Sequence, residues 1–407
     1  MNIKSLTLKN VGPFKDLHLD FPMELDSKGH FPVVIITGEN GAGKSVILDS
    51  LRLLFKGLWG IDRNIIADEN DFVMSMTLDI DGTDKTIKAD SFKTDGNIFK
   101  LDTNDFEYSK SFSNFDEQSK KNYILDYWSP DLAVDKFDIS SISILKSDKP
   151  LETSFERTFN NSQVNQFICW ADYLQGSSNL EEAHKGKVLY KILSDMITDC
   201  LVEGQFKYVS RETLKPIVEV RGRELSIEKL SMGNLLLLTH LIRTLYRAYG
   251  ICVLNNRPID DIQNVDGVLL IDEIENHLHP KWQKKVLGLI HKYFPKLQLI
   301  VTTHSPFVLS SIDNPFVFVC ESKEDHSEVH FLSENYSNMP VEDVLNSRVF
   351  GVGPFGEKIS DLLKERMKAI AEKNKEKVTE IESKLIECNE SYFSFYRLSE
   401  KLNLDTL

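Results

Sequence analysis

The stretch Gly38-Glu39-Asn40-Gly41-Ala42-Gly43-Lys44-Ser45 constrains the fold of this chain more than any other. It follows a short apolar run, Val33-Val34-Ile35-Ile36, and leads into apolar residues at helical spacing from about Lys44 to Phe55. A buried strand, a glycine-rich turn and a helix are expected in that order. Such a turn has a particular chemistry. Gly38, Gly41 and Gly43 let backbone N–H groups, those of Asn40 and Ala42 among them, curl around phosphate oxygens, and the helix start adds a favourable field. Lys44 is spaced to reach the β/γ-phosphate oxygens and Ser45 to ligate Mg²⁺, so ATP with Mg²⁺ is the expected ligand. Read as a merely tight strand-to-helix turn, the segment leaves its lysine without a purpose.

The remaining pattern supplies a sheet to carry this turn. Residues 2–37 read as two strands around Gly12-Pro13 followed by the buried strand. Residues 72–108 alternate apolar and polar, with Met74, Met76, Leu78 and Ile80 in phase and breaks at Asp81-Gly82 and Asp95-Gly96. That is the pattern of antiparallel hairpins. From about 150 to 205 the spacing of Val188, Leu189, Ile192, Leu193 and Ile197 is helical, strands return near 206–222, and helix and strand then alternate to about 320. The expected fold is α/β, with a mixed and largely parallel central sheet, an antiparallel β lobe at about 72–108 and a helical insertion at about 150–205. Beyond residue 335 the pattern changes. Ile359, Leu362, Leu363, Met367 and Ile370 mark one amphipathic helix, and Val378, Ile381 and Leu385 another. Residues 1–335 and 336–407 are thus expected as a head and a helical C-terminal region for docking or oligomerisation.

Three later motifs extend the first. Gly267-Val268-Leu269-Leu270-Ile271-Asp272-Glu273 is a continuous apolar strand ending in two acids. Downstream of a phosphate loop, Asp272 is expected to hold Mg²⁺ and Glu273 to polarise an attacking water. Leu299 to Val301 with Thr302-Thr303-His304-Ser305-Pro306 is a second such strand, and His304 at its end would set an imidazole near the γ-phosphate. Leu230-Ser231-Met232-Gly233-Asn234 opens a strongly apolar helix. It serves either as a plain helix cap by Ser231 or as an anion site at a glycine-flanked helix start, and its place before the acidic strand favours the second. His277 and His279 lack a third ligand for a metal, and His279-Pro280 reads as a helix start. Lys281, Lys284, Lys285, Lys292 and Lys296 make one region basic, either as a solvated face or as a phosphate contact.

Composition limits the partners. The net charge is −14, which is not the footprint of a chain that coats nucleic acid by itself. Five cysteines (Cys169, Cys200, Cys252, Cys320 and Cys388) are scattered without CxxC spacing, as suits a reducing cytoplasm. No signal-like stretch begins the chain, and the densest apolar run, Leu235 to Ile242, is broken by Thr239 and His240. A cytoplasmic protein with no membrane partner is expected.

Together these residues resemble the ABC ATPases of the SMC, Rad50, RecF and OLD-like group. The matching wording is LTLKNVGPF at 6–14, GENGAGKS at 38–45, LSMGN at 230–234, LIDEIENHLHPKWQKKVL from 270 and IVTTHSPFVLSS from 300. The resemblance covers roughly residues 1–320 and implies an ABC ATPase head. It also implies a homodimer with shared ATP sites, in which Ser231 and Gly233 of one copy act on the nucleotide held by the other, and it leaves a higher oligomer open. Lys44, Glu273 and His304 are the implied catalytic residues. The long coiled coil of SMC and Rad50 is missing, the acidic DxD of the OLD nuclease domain is missing, and none of Gln163, Gln166 and Gln175 can be assigned as a Q-loop glutamine.

The short head with its helical tail looks most like the Septu ATPases of bacterial anti-phage systems, a type also found in retron systems. That resemblance implies an ATPase that regulates a separately encoded effector, an HNH-like nuclease or retron components; slow turnover is expected because a switch needs lifetime more than speed. The alternative is a RecF-like repair ATPase that clamps DNA itself. A transporter subunit fits the GPF and HLHP wording poorly.

Overall fold

In the computed structural model, β1 (Asn2–Val11) and β2 (Phe14–Asp20) pair antiparallel across Gly12-Pro13, with Leu6, Leu8, Leu17 and Leu19 buried. The structure describes residues 1–56, 65–66, 71–95, 98–104, 121–130, 137–143, 161–201, 203–347, 349–350 and 355–396. The chain divides into two units, Met1–Met339 and a second beginning at Pro340.

The first unit continues with β3 (Val34–Gly38), α1 (Lys44–Lys56), β4 (Val73–Ile80), β5 (Thr83–Asp95), β6 (Ile98–Thr103) and β7 (Ile124–Trp128). Helices α2 (Asn161–Leu174) and α3 (Leu180–Asp199) lead to β8 (Gly204–Ser210), β9 (Lys215–Val220) and β10 (Arg223–Ser226). Then come α4 (Met232–Leu254), β11 (Gly267–Ile271), α5 (Pro280–Gln283), α6 (Val286–Tyr293), β12 (Leu297–Thr302), α7 (Pro306–Leu309), β13 (Phe316–Ser322) and β14 (Ser327–Leu332).

The site rests on the sheet ordered β14-β13-β3-β12-β11-β7. Its neighbours are parallel except for β14, which runs antiparallel at one edge. Strands β3, β11 and β12 are apolar almost throughout because both of their faces are covered: Ile35, Val268, Leu269, Leu299 and Ile300 have no exposed surface. Parallel pairing brings the C-terminal ends of these three strands to one side, where α/β sheets characteristically bind ligands. Gly38, Asp272 and His304 leave the sheet there.

The expected antiparallel lobe is part of a larger sheet, β2-β1-β4-β5-β6, because β1 pairs with β4 as well as with β2. Residues 96–97 and 105–108 of that expectation lie outside the described residues, as do 150–160 of the helical insertion. The insertion's helices end at Asp199, and Gly204 already begins β8 in a separate sheet, β10-β9-β8.

A buried charge cluster ties β7 to α4. Asp126 has no exposed surface and meets Arg243 Nη2 at 3.1 Å, the Arg247 guanidinium, and Thr244 Oγ1 at 2.7 Å. Trp128, two residues along the strand, donates its indole N–H to the same Thr244 hydroxyl at 3.0 Å. Burial works to raise the Asp126 pKa, but Arg243 and Arg247 outweigh it and hold the carboxyl below its ordinary value.

In the second unit α8 (Val341–Asn346) precedes α9 (Glu357–Ala371), α10 (Lys375–Cys388) and α11 (Glu390–Phe393). Ala369, Ile381, Leu385, Phe393 and Tyr396 form its core, with Ile359, Leu362, Leu363 and Val378 against it. Met367 and Ile370 depart from the expected apolar seam and are 71% and 47% exposed. Their place is taken by Ala369 and by Arg366, whose guanidinium lies 4.5 Å from the Tyr396 ring centre and 2.6 Å from Glu382. Among the described residues no helix is long and apolar enough to cross a membrane.

Asp126→Asn removes the anion between two buried guanidiniums and should cost about 3–5 kcal/mol of stability, read as a lower denaturant midpoint. Because the folded Asp126 pKa is depressed, the deficit should be full at neutral pH and vanish as pH falls through that folded value.

Candidate functional site

The loop after β3 is shaped by one close approach. Gly43 has φ of +98°, and a Cβ there would lie 2.6 Å from the Phe14 ring and 2.7 Å from Pro13. The Gly12-Pro13-Phe14 turn therefore packs onto the loop and requires glycine at 43. Lys44 opens α1 with its side chain folded back. Its ammonium donates to the Gly38 carbonyl at 3.1 Å and the Glu39 carbonyl at 2.6 Å. Burial lowers the Lys44 pKa, and Cys320, Glu273, Asp272 and Glu275 oppose that shift.

Asp272 gathers the strand ends. Its Oδ1 accepts the Ser45 hydroxyl at 3.0 Å and the Thr302 hydroxyl at 2.6 Å, while its Oδ2 lies 3.5 Å from the Tyr127 hydroxyl. Thr302 has no exposed surface, and its oxygen also accepts the Glu273 backbone N–H at 2.8 Å. Glu273 is held in the left-handed region, φ +50°, and is exposed. For a non-glycine residue that conformation costs on the order of 1–3 kcal/mol, so its neighbours must over-determine it. Thr302 is one such neighbour, and the Asn276 N–H, which donates to the Glu273 carbonyl at 2.8 Å, is another.

His304 is held by its backbone. Its N–H donates to Glu275 Oε1 at 2.5 Å, and the Thr303 hydroxyl donates to Glu275 Oε2 at 2.6 Å. The Ser305 N–H donates to the Thr303 oxygen at 3.0 Å, and the Ser305 hydroxyl donates to Gln283 Oε1 at 2.6 Å. Ser305 also caps α7, accepting from the Phe307 and Val308 N–H groups. Burial lowers the His304 pKa, as does the Lys44 charge, with Glu275 and Asp272 opposing. The imidazole is therefore mainly neutral at pH 7.

Ser231 is the exposed N-cap residue of α4, yet its side chain makes no capping bond. Gly233 is buried, and a Cβ there would sit 2.2 Å from the His277 carbonyl oxygen. The helix start thus lies directly on the segment that follows Glu273. Among the described residues neither Ser231 nor Gly233 is hydrogen-bonded to the 38–45 loop within the chain.

The loop backbone at Gly38, Asn40, Gly41, Ala42 and Gly43 with Lys44 could hold phosphates. Ser45 and Asp272 present the paired hard oxygens that Mg²⁺ takes, so the residues fit both groups. Sequence reasoning missed Thr302, Glu275, Tyr127 and Gln283. Two signals were available: polar Thr302-Thr303 at the end of an apolar strand, and a third carboxylate in Asp272-Glu273-Ile274-Glu275. Of the unassigned glutamines, Gln166 donates to Ser143, Gln175 donates to Asp172, and Gln163 is exposed on α2. His279 caps α5 by accepting from the Lys281 N–H at 3.3 Å. The expected basic region spans two helices and the turn after them; Lys281, Lys284 and Lys285 are exposed, and Lys292 pairs with Asp199.

A family model described as "AAA domain" matches residues 5–215, more than half of the 407-residue chain. The chain belongs to this AAA domain family. A second model, "AAA domain, putative AbiEii toxin, Type IV TA system", matches residues 210–310, so AAA domain matches cover both the Lys44 loop and the Asp272 and His304 strands. The chain is 24% identical to "Septu protein PtuA" of Bacillus mycoides (strain KBAB4), over 86% of this chain and 45% of that protein. It is 25% identical to "Septu protein PtuA" of Bacillus thuringiensis, over 94% and 93%. To "Retron Vc95 probable ATPase" of Vibrio cholerae serotype O1 biovar El Tor it is 30% identical, over 42% and 32%. The chain thus spans less than half of the first and third of these relatives.

Thr302→Val keeps the shape but removes the hydroxyl that orients Asp272 and anchors Glu273. It should weaken magnesium-dependent nucleotide binding by about 10–100-fold, the usual cost of losing a group that orients a metal ligand. Titration calorimetry with and without magnesium measures this, and binding without magnesium should change little.

Proposed function

We propose that this chain is an ATP-binding and hydrolysing regulatory subunit of a bacterial anti-phage defence complex, whose ATP-driven dimer closure controls a separately encoded effector nuclease. One observation carries the hydrolytic part. Asp272 accepts Ser45 and Thr302 at one oxygen, while the next residue, Glu273, is turned outward in a left-handed conformation. That arrangement separates two acids by role, one for the metal and one for water.

Lys44 and the Gly38–Gly43 backbone bind and orient the phosphates, and Ser45 with Asp272 holds Mg²⁺. Mg²⁺ held there by Ser45 and Asp272 would supply positive charge against the phosphates. Glu273 accepts the proton of the attacking water, and the His304 imidazole donates a hydrogen bond to the γ-phosphate. Ser231 and Gly233 of a second copy complete the site, so the triphosphate closes a homodimer and hydrolysis reopens it. The names of the Septu and retron relatives support the defence setting. A switch needs lifetime more than speed, so turnover is slow.

Lys44→Ala should abolish nucleotide binding. Glu273→Gln should retain binding, lower turnover by about 10²–10⁴-fold and sediment as a dimer with ATP. A Glu273→Gln protein that hydrolyses at the wild-type rate would sink the general-base role. Affinity capture from the native host with this variant and ATP should recover a nuclease; DNA alone, released by salt, would favour a DNA-clamping ATPase instead.

A further inference from the structure

Three groups near the site have no part in the scheme above: Glu275, Thr303 and Gln283. Glu275 stands three residues beyond Asp272, and each of its oxygens takes a different donor from the segment after β12. Oε2 accepts the Thr303 hydroxyl at 2.6 Å and Oε1 accepts the His304 N–H at 2.5 Å. Thr303 has no exposed surface and Glu275 is half-buried. At this depth a charge-assisted pair of bonds is stronger than the same bonds in water. Ser305, on the other side of His304, is held by Gln283 at 2.6 Å. The segment that follows Glu273 therefore grips the turn at 303–305 at two points, one on each side of the histidine.

We propose that Glu275 is a positioning residue for the hydrolysis assigned above: its carboxylate fastens the His304 turn to the exit of β11, so that the groups following the two strands move as one. The inference rests on the proposed ATPase reading for its functional consequence but not for its geometry. Only a carboxylate serves here. It accepts at two oxygens, whereas the amide of glutamine accepts at one and would turn an NH₂ group toward the other donor. A displacement of His304 by an ångström is enough to cost about 10²-fold in rate when a group must meet the reacting phosphate. Nucleotide affinity, set by the Lys44 loop, should be spared.

The test pairs Glu275→Gln with Thr303→Val, both near-isosteric, and repeats each in a His304→Ala background. Glu275→Gln should lower kcat by about 10–100-fold with KM changed by no more than about twofold. In the His304→Ala background the same substitution should cost less than about twofold, because the residue acts through the histidine. Thr303→Val should show the same pattern in milder form. Equal losses in both backgrounds, or a loss confined to KM, would overturn the proposal. Melting temperatures measured alongside separate misfolding from misplacement.

A second readout does not need turnover. With histidine labelled by nitrogen-15, the His304 amide proton (assigned by its absence in His304→Gln) should lie far downfield because it donates to a carboxylate. It should move upfield in Glu275→Gln. An unmoved resonance would sink the clamp even if hydrolysis fell. If the wild-type protein shows no Lys44-dependent hydrolysis while the amide moves as expected, the ATPase reading fails and the clamp stands.

Discussion

A buried carboxylate at the end of a parallel strand needs hydrogen-bond donors or a cation, because water cannot reach it freely. Asp272 is 4% exposed, and its donors are Ser45 in the first turn of α1, Thr302 at the end of β12 and, at 3.5 Å, Tyr127 of β7. The strand order makes this work. β12 lies between β11 and β3, so Thr302 at the end of β12 and Ser45, at the start of α1 beyond the loop after β3, reach the same Asp272 oxygen. Any slip in register among the three strands would separate the donors from the acid. The apolar runs Val34–Ile36, Val268–Ile271 and Leu299–Val301 hold that register by burial on both faces.

The edge strand β7 extends the arrangement to two helices. Successive residues of a strand face opposite sides of the sheet. Asp126 meets Arg243 and Arg247 of α4, whereas Tyr127 lies under Arg52 of α1 at 3.9 Å and points its hydroxyl toward Asp272. The helix that follows Lys44 and the helix that follows Ser231 are thus referred to one strand. Buried ion clusters are poor sources of net stability but strict about geometry. Here the strictness concerns how the two helices sit on the sheet.

What could be read from the sequence was local. The glycine loop, the acidic strand end and the His304 strand each occupy a short window with its own chemistry, so their places and their parallel sheet followed from pattern. The same holds for β1 and β2 about Gly12-Pro13. Groups that act through distant partners could not be read in this way. Asp126 in Ile124-Leu125-Asp126-Tyr127-Trp128 looks like a polar interruption until Arg243 is seen beside it, far along the chain. Thr302 and Glu275 are ordinary polar residues until the strands meet. Met367 and Ile370 satisfied helical spacing, but the small Ala369 and the stem of Arg366 fit that seam better.

Gly233 has a practical bearing on genetics. Its backbone lies so close to the His277 carbonyl that any side chain there would disturb its own chain before a second copy arrived. An inactive Gly233 mutant would therefore be ambiguous evidence for cooperation between copies. Ser231 is the sharper probe. It is exposed and is not needed to cap its own helix, so a defect caused by changing it reports on something outside the chain.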